Sequence, residues 1–415
     1  MIESPCRKWL HASVLNPCAE AFFGYLQQHG YRPYTVRAYI DCVGHFGRWL
    51  TQRRTTLGRV DESLVHKFVA QHLPQCKCPG APRRTLREVR AAHVHLLRVL
   101  RAENHIAGPI SLVPQPILGE LERFDTHLDE VCGLAPATRI SRRLWVGKFL
   151  LDRFAHRPIA VDQLKPRDIV RFMAKPDNQY KPGTSRLIGC SLRSYLRFRA
   201  LRCGDQVESL MAAVLSTAQW RLSTPPTYLT PDELTSFLNA FDLKSAHGQR
   251  GYAMARCLVD LGLRASEVAA IKLEDLDWQE GTVKIGGGKS RRGDLLPLPV
   301  PTGQAITQYL RRARPRTSSR ALFVRHRAPF DIPAGASLVR CSVRMAFARC
   351  GLADRFTGTH VLRHSAATRM RWAGATLKEI ADLLRHRSLD TTTIYTTVDL
   401  PRLVAVAAPW PERIS

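Results

Sequence analysis

Thr359-His-Val-Leu-Arg-His364, then Leu384-Arg-His386, then Tyr395, gather imidazole, guanidinium and phenol side chains into 36 residues towards the C-terminal end. No cysteine or carboxylate stands among the quoted residues as a metal ligand. His360 and Arg363 lie three apart in a segment that reads as helix, so they project from neighbouring faces. Side chains of these kinds, held together, suit attack on a phosphodiester without a metal. The remaining parts of that chemistry must come from elsewhere in the chain.

The 415 residues carry 62 Lys+Arg against 35 Asp+Glu, a formal net charge of +27, and arginine far outnumbers lysine. A GC-rich coding bias raises arginine but does not leave acidic residues so outnumbered. A polyanionic partner accounts for both, and the planar guanidinium fork favours nucleic acid over a membrane surface. A hydrophobic content of 45% supports two or three domains with their own cores. The 11 cysteines are scattered and odd in number, and no N-terminal apolar run has signal-peptide or membrane-spanning length. Free thiols in a reducing cytosol are expected, with a cytoplasmic, nucleoid-associated protein and no membrane partner. Cys76-Lys-Cys78 is the only close pair; with no second Cys/His pair at zinc-finger spacing, no metal site is expected.

Residues 1–18 show no clear period and read as an arm. From Ala19 the apolar residues recur at three- and four-residue steps: Phe22, Phe23 and Leu26, then Val36, Tyr39, Ile40, Val43, Phe46, Trp49 and Leu50. Asp61 or Ser63 opens a short helix through Phe68, residues 76–82 form a Pro/Gly loop, and a basic helix spans about 85–101. The pattern then repeats. Residues 35–50 align with 138–153, residues 60–70 with 164–174 at a shift of 104, and 93–101 with 192–200 at a slightly smaller shift. A tandem pair of small helical DNA-binding domains is predicted, over 1–110 and 115–219. Arginine-rich faces on their last helices, with few acidic neighbours, make Arg83, Arg84, Arg87 and Arg90, and Arg186, Arg193 and Arg197, the candidates for phosphate contact.

A Pro-containing linker, 220–229, precedes a third domain over 230–415. Thr230-Pro-Asp-Glu233 is a capping box with proline at the first helical position. A largely apolar helix follows near 249–261, then short strands at 282–285 and 295–298 joined by a Gly/Lys/Arg loop. A further strand is predicted at 321–324, with helices near 303–312, 338–350, 360–372, 377–384 and 389–396. The fold class is mainly α with a small antiparallel β-sheet in the C-terminal domain.

Residues 228–400 resemble the catalytic domain of the tyrosine recombinase (phage integrase) family, and the second helical unit resembles its core-binding, SAM-like domain. Gly262-Leu-Arg-Ala-Ser-Glu267 is similar to the first signature, His360-Val-Leu-Arg363-His364 to the second, and Leu384-Arg-His386 with Tyr395 nine residues on to the third; Lys289 matches the mobile lysine. The resemblance implies a site-specific recombinase of the integrase or transposase type that joins DNA to itself through a 3′-phosphotyrosine on Tyr395. Arg264 and Arg363 would grip the phosphate oxygens, His360 assist removal of the phenol proton, Lys289 protonate the leaving 5′ oxygen, His386 donate to the phosphate and Glu267 support the site. It implies no cofactor, and a homotetramer on two double-stranded DNA sites, alone or with related recombinases. A relaxing topoisomerase of similar chemistry and a non-catalytic DNA-binding architectural protein are the alternatives. Arg385 departs from the family, which usually has glycine before the histidine, and in a left-handed turn it would be strained. The apolar tail after Tyr395, from Leu400 to Trp410, is expected to dock on a neighbouring protomer.

Overall fold

The computed structural model describes residues 5–79, 85–108, 113–155, 159–160, 163–174, 180, 182–203, 206–216, 227–286 and 294–385. Lys289, His386, Tyr395, Arg83, Arg84, the predicted helix 389–396, the apolar tail and most of the predicted linker lie outside the described residues. The chain divides into two compact units, Met1–Gly108 with Leu222–Ser415, and Pro109–Arg221.

In the first helical bundle, α1 (Pro5–His11), α2 (Ala19–Gln28), α3 (Pro33–Gln52), α4 (Glu62–Lys67) and α5 (Leu86–Ala102) surround one apolar core. Pro33 suits the first turn of α3, where its missing N–H has no helical partner to lose. The Asp61 carboxylate caps α4 by accepting the Leu64 N–H at 2.9 Å, and α4 runs on into a π-helical turn, Phe68–His72. Residues 5–11, expected as an arm, are instead a helix packed on α3. Seven residues that bury only Cys6 and Leu10 are too few to show a period. The clue stands on the other helix: a Cβ on Gly44 would lie 1.9 Å from the Cys6 carbonyl oxygen, and one on Gly47 would lie 2.5 Å from Ser13 Oγ.

The second bundle comprises α6 (Gln115–Thr126), α7 (Pro136–Phe154), α8 (Pro166–Met173), α9 (Pro182–Cys203) and α10 (Gln206–Ala212) around a separate core. The order α2–α3–α4–α5 recurs as α6–α7–α8–α9, and in each bundle the second helix packs along the fourth. Phe46 meets Phe68 nearly edge-on with centroids 5.1 Å apart; at the aligned positions Phe149 meets Phe172 at 5.3 Å. Among the described residues the helix order of 19–105 is thus the same as that of 118–215.

The third core belongs to α11 (Pro231–Asn239), α12 (Ala246–Asp260), α13 (Ala265–Ala270), α14 (Val300–Arg312), α15 (Ala336–Arg349) and α16 (His360–Trp372), and α17 (Leu377–Leu384) joins α16 in a small separate cluster of Ala367, Ile380 and Leu384. A three-stranded antiparallel sheet, β1 (Leu276–Asp277), β2 (Thr282–Ile285) and β3 (Asp294–Pro297), inserts Val283, Ile285 and Leu296 into that core. Residues 321–324, predicted as a strand, make only isolated bridges, Lys272 with Ala321 and Val324 with Pro333. Leu322, Phe323 and Val324 are buried there as loop residues, and a short apolar run does not distinguish the two fates. Helix α12 is the centre of this part, buried by α14, α15 and α16. The architecture is mainly helical with a small antiparallel sheet, as the sequence predicts. Among the described residues no helix is long and apolar enough to cross a membrane.

Gly44→Ala tests the docking of α1. Alanine gains about 1 kcal/mol of helix propensity, yet the new methyl meets backbone rather than a yielding side chain, so a net loss of about 1–3 kcal/mol is expected. Hydrogen exchange should show α1 amides losing protection; unchanged protection would remove the packing argument.

Candidate active site

The site begins where α12 stops. Gly262 takes φ +58°, and a Cβ there would lie 2.5 Å from Leu384 Cδ2, so only glycine allows both the turn and the approach of α17. Leu263 is buried in the core, and Arg264 follows as the residue preceding α13.

Arg363, in the first turn of α16, is 4% exposed. Its Nη1 donates to the Gly262 carbonyl at 2.6 Å and its Nη2 to the Leu384 carbonyl. Leu384 is the last residue of α17, and Gly262 stands just beyond the end of α12. One guanidinium thus meets the electronegative ends of two helices, where a cation is favoured.

Glu267 is almost as buried as Arg363. Its Oε2 accepts the Arg264 backbone N–H at 2.7 Å and Arg385 Nη2 at 2.6 Å, while Oε1 accepts Arg264 Nη1 at 2.7 Å. Burial raises its pKa most, but the Arg264 N–H and the Arg385 and Arg264 charges together outweigh burial and hold it below the usual range. The carboxylate is therefore ionised and fixes the Arg264 guanidinium.

Arg385 does sit in the left-handed region, at φ 54° and ψ 53°, as the residue ending α17. That conformation costs a non-glycine residue about 1–2 kcal/mol. Its side chain folds back, 7% exposed, onto Glu267, and its Nη1 donates to the Leu383 carbonyl at 3.1 Å. The buried ion pair offsets the backbone cost that the sequence alone foresaw.

His360, the first residue of α16, keeps an exposed surface. Partial desolvation, then the charges of Arg363, Arg264 and Arg340, lower its pKa below the ordinary 6.5. The positive end of α16 acts in the same sense. His360 is neutral at pH 7 and able to accept a proton. Arg340, on α15, joins this cluster without any signal in the sequence, because its nearness depends on how α15 packs. His364 is pushed down to about 4 by burial, then by His360 and Arg363, and is neutral too.

The basic helices divide between two uses. Arg87 and Arg90 on α5, and Arg186 and Arg197 on α9, are exposed. Arg193 instead donates to the Val214 carbonyl at 2.7 Å and to Ser216 Oγ at 2.6 Å, fastening the segment after α10. Arg199, Arg123 and Tyr195 all donate to the buried Glu120 carboxylate, and Arg101 pairs with Glu62 at 2.5 Å.

Residues 227–401 match the model of the phage integrase family, and residues 19–104 match that of the phage integrase N-terminal SAM-like domain. The second match falls on the first bundle, whereas the motif resemblance assigned the core-binding type to the second. The chain is 34% identical over 94% of its length, and 93% of the relative's, to y4rA of Sinorhizobium fredii, named as an integrase/recombinase. It is 30% identical to tyrosine recombinase XerA of Pyrococcus furiosus, over 68% of this chain and 91% of that one. Among solved structures, XerH recombinase on a palindromic difH substrate has a TM-score of 0.54 at 20% identity, over 71% of this chain and 87% of XerH. The lambda integrase fragment on a COC′ core site has a TM-score of 0.52 at 16% identity, over 67% of this chain and 94% of that one. Fold and relatives define a site-specific recombinase, an enzyme that exchanges DNA strands. The chain belongs to the phage integrase family, the tyrosine recombinases.

Two outcomes follow from this geometry. Arg385→Ala keeps the left-handed strain and loses the Glu267 ion pair, whereas Arg385→Gly loses the same pair and also relieves the strain. Glycine should therefore be the more stable variant by about 1–2 kcal/mol in thermal unfolding; equal stabilities would show that the backbone cost is absent. A depressed His360 pKa means the neutral form persists as pH falls below 6.5 and is lost only lower. The acid limb of a strand-cleavage rate profile should accordingly be centred below pH 6.5 and vanish in His360→Gln; a limb centred at 6.5 or above would contradict the cation cluster.

Proposed function

We propose that this recombinase cuts and rejoins double-stranded DNA at specific sites through a 3′-phosphotyrosyl intermediate on Tyr395. The observation that carries the reading is the cluster of Arg264, Glu267, Arg363 and His360, gathered where α12 and α17 end, on the segment that leads to His386 and Tyr395. In this step the phenol oxygen bonds to phosphorus and the bond to the 5′ oxygen breaks. Neutral His360 accepts the phenol proton, and Lys289 supplies one to the departing 5′ oxygen, which leaves as a hydroxyl. Arg264 and Arg363 hold the charge that grows on the two non-bridging oxygens. The phosphotyrosine conserves the bond, so a 5′ hydroxyl from a second strand reverses the step. His386 donates to the same phosphate.

The XerH and lambda integrase structures are of those proteins on DNA; by analogy the exposed Arg87, Arg90, Arg186 and Arg197 of this chain, with Arg83 and Arg84, contact phosphates. The matched helix order and the aligned phenylalanine pairs support a domain plan of two related DNA-binding bundles, 1–110 and 115–219, and a catalytic domain over 230–415. We assign the enzyme to a mobile element, as an integrase or transposase working as a homotetramer on two duplexes beside the nucleoid. The apolar tail docks on the next protomer.

A nicked suicide substrate tests the chemistry. The full chain should form a covalent DNA complex that survives a denaturing gel, and Tyr395→Phe should form none. Arg264→Ala should slow capture roughly 10²–10³-fold, the usual consequence of removing one donor to a developing oxyanion. Capture by Tyr395→Phe would move the nucleophile to another residue.

A further inference from the structure

The first bundle holds a cluster that strand exchange does not use. His45 on α3, His72 at the end of the π-helical turn, and Cys76 and Cys78 in the loop beyond it place their ligand atoms within 4.8 Å of one another. The two Nε2 atoms are 3.1 Å apart, Cys76 Sγ lies 3.3 Å from His45 Nε2, and Cys78 Sγ lies 3.6 Å from His72 Nε2. Zinc bonds of about 2.0–2.1 Å to nitrogen and about 2.3 Å to sulfur, arranged tetrahedrally, separate the ligand atoms by about 3.3–3.8 Å. The observed spacings are close to these.

Hydrogen bonding accounts for the arrangement less well. Each imidazole Nε2 carries either one proton or one lone pair, yet each faces another Nε2 and a thiol at once. Four donor atoms converging on a point are the pattern of a coordination sphere. We propose that His45, His72, Cys76 and Cys78 bind a structural Zn²⁺.

Two thiolates and two neutral imidazoles leave the occupied site uncharged, which suits its partly buried position. The Cys78 backbone N–H donates to Cys76 Sγ at 3.4 Å, a contact that favours the thiolate. Phe68 packs edge-on to His45 at 5.1 Å and stacks on His72 at 5.2 Å, so the rings are held before a metal arrives. Four protein ligands fill the tetrahedron, which makes the site structural rather than catalytic. Its effect is to tie the loop leading into the basic helix α5 back onto α3. The expectation of no metal at Cys76-Lys-Cys78 rested on spacing along the chain; the fold supplies the other pair from residues 27 apart.

The test uses the full chain. Elemental analysis after purification in zinc-supplemented medium should find about one zinc per chain. His72→Asn and Cys78→Ser should each lose most of it, while Cys132→Ser, in the second bundle, should lose none. Titration of the stripped chain with Co²⁺ should give tetrahedral d–d bands and a thiolate charge-transfer band. Cys78→His should keep the d–d bands and lose about half of the charge-transfer intensity, an outcome that misfolding cannot imitate. A wild-type chain with neither zinc nor a cobalt spectrum, or a Cys78→Ser chain with wild-type zinc content, would overturn the site.

Discussion

The Arg363 guanidinium decides the geometry of the catalytic end. By donating to the carbonyls of Gly262 and Leu384 it joins two helix ends that are 122 residues apart in the chain. Both carbonyls are electron-rich ends of helices, and a buried cation between them costs less than it would in an apolar core. Removing either carbonyl partner from its place would leave a buried charge poorly compensated, so the two ends are mutually locked. Arg264 emerges on one of them, and the chain towards His386 and Tyr395 leaves from the other.

Glu267 makes the surrounding concentration of positive charge tolerable. Arg264, Arg363, Arg340 and Arg385 cluster around His360 and Glu267, and like charges repel. One ionised carboxylate, shared by the Arg264 backbone, the Arg264 guanidinium and the Arg385 guanidinium, offsets two of them and sets the orientation of Arg264. Arg385 is therefore an anchor for the carboxylate as well as the end of α17. A glycine at 385 would make the turn more easily but would leave Glu267 with fewer donors.

The three-residue spacing of His360 and Arg363 on a helix was legible from the residues themselves, whereas Arg264 and Glu267 were picked out only through the resemblance of Gly262-Leu-Arg-Ala-Ser-Glu267 to the family signature. Two of the three strands were legible, at 282–285 and, offset by one residue, at 295–298, but the two-residue strand Leu276–Asp277 is too short to leave a pattern. Other features depended on distances the sequence does not carry. Helix α1 was missed because its docking signal is two glycines on α3. Arg193 reads as a candidate for phosphate contact because its partners, Val214 and Ser216, lie outside its own helix and beyond any local spacing rule. The His/Cys cluster was hidden for the same reason.

That cluster also bears on how two similar bundles came to differ. In the second bundle Tyr180 meets α7 through an aromatic contact with Trp145 at 5.2 Å, and the Lys148 ammonium lies 4.3 Å from the Trp145 centroid. At the shift that aligns 35–50 with 138–153, Lys148 corresponds to His45, and Tyr180 stands between α8 and the basic helix α9 as Cys76 does between α4 and the basic helix α5. The same mechanical task, pinning the loop before the basic helix to the long second helix, thus falls to an aromatic–cation contact in one copy and to histidines and thiols in the other. An aromatic contact of that size contributes about 0.5–1.5 kcal/mol beyond its burial, and a metal sphere much more. The first basic helix is therefore the more firmly positioned of the two when metal is bound.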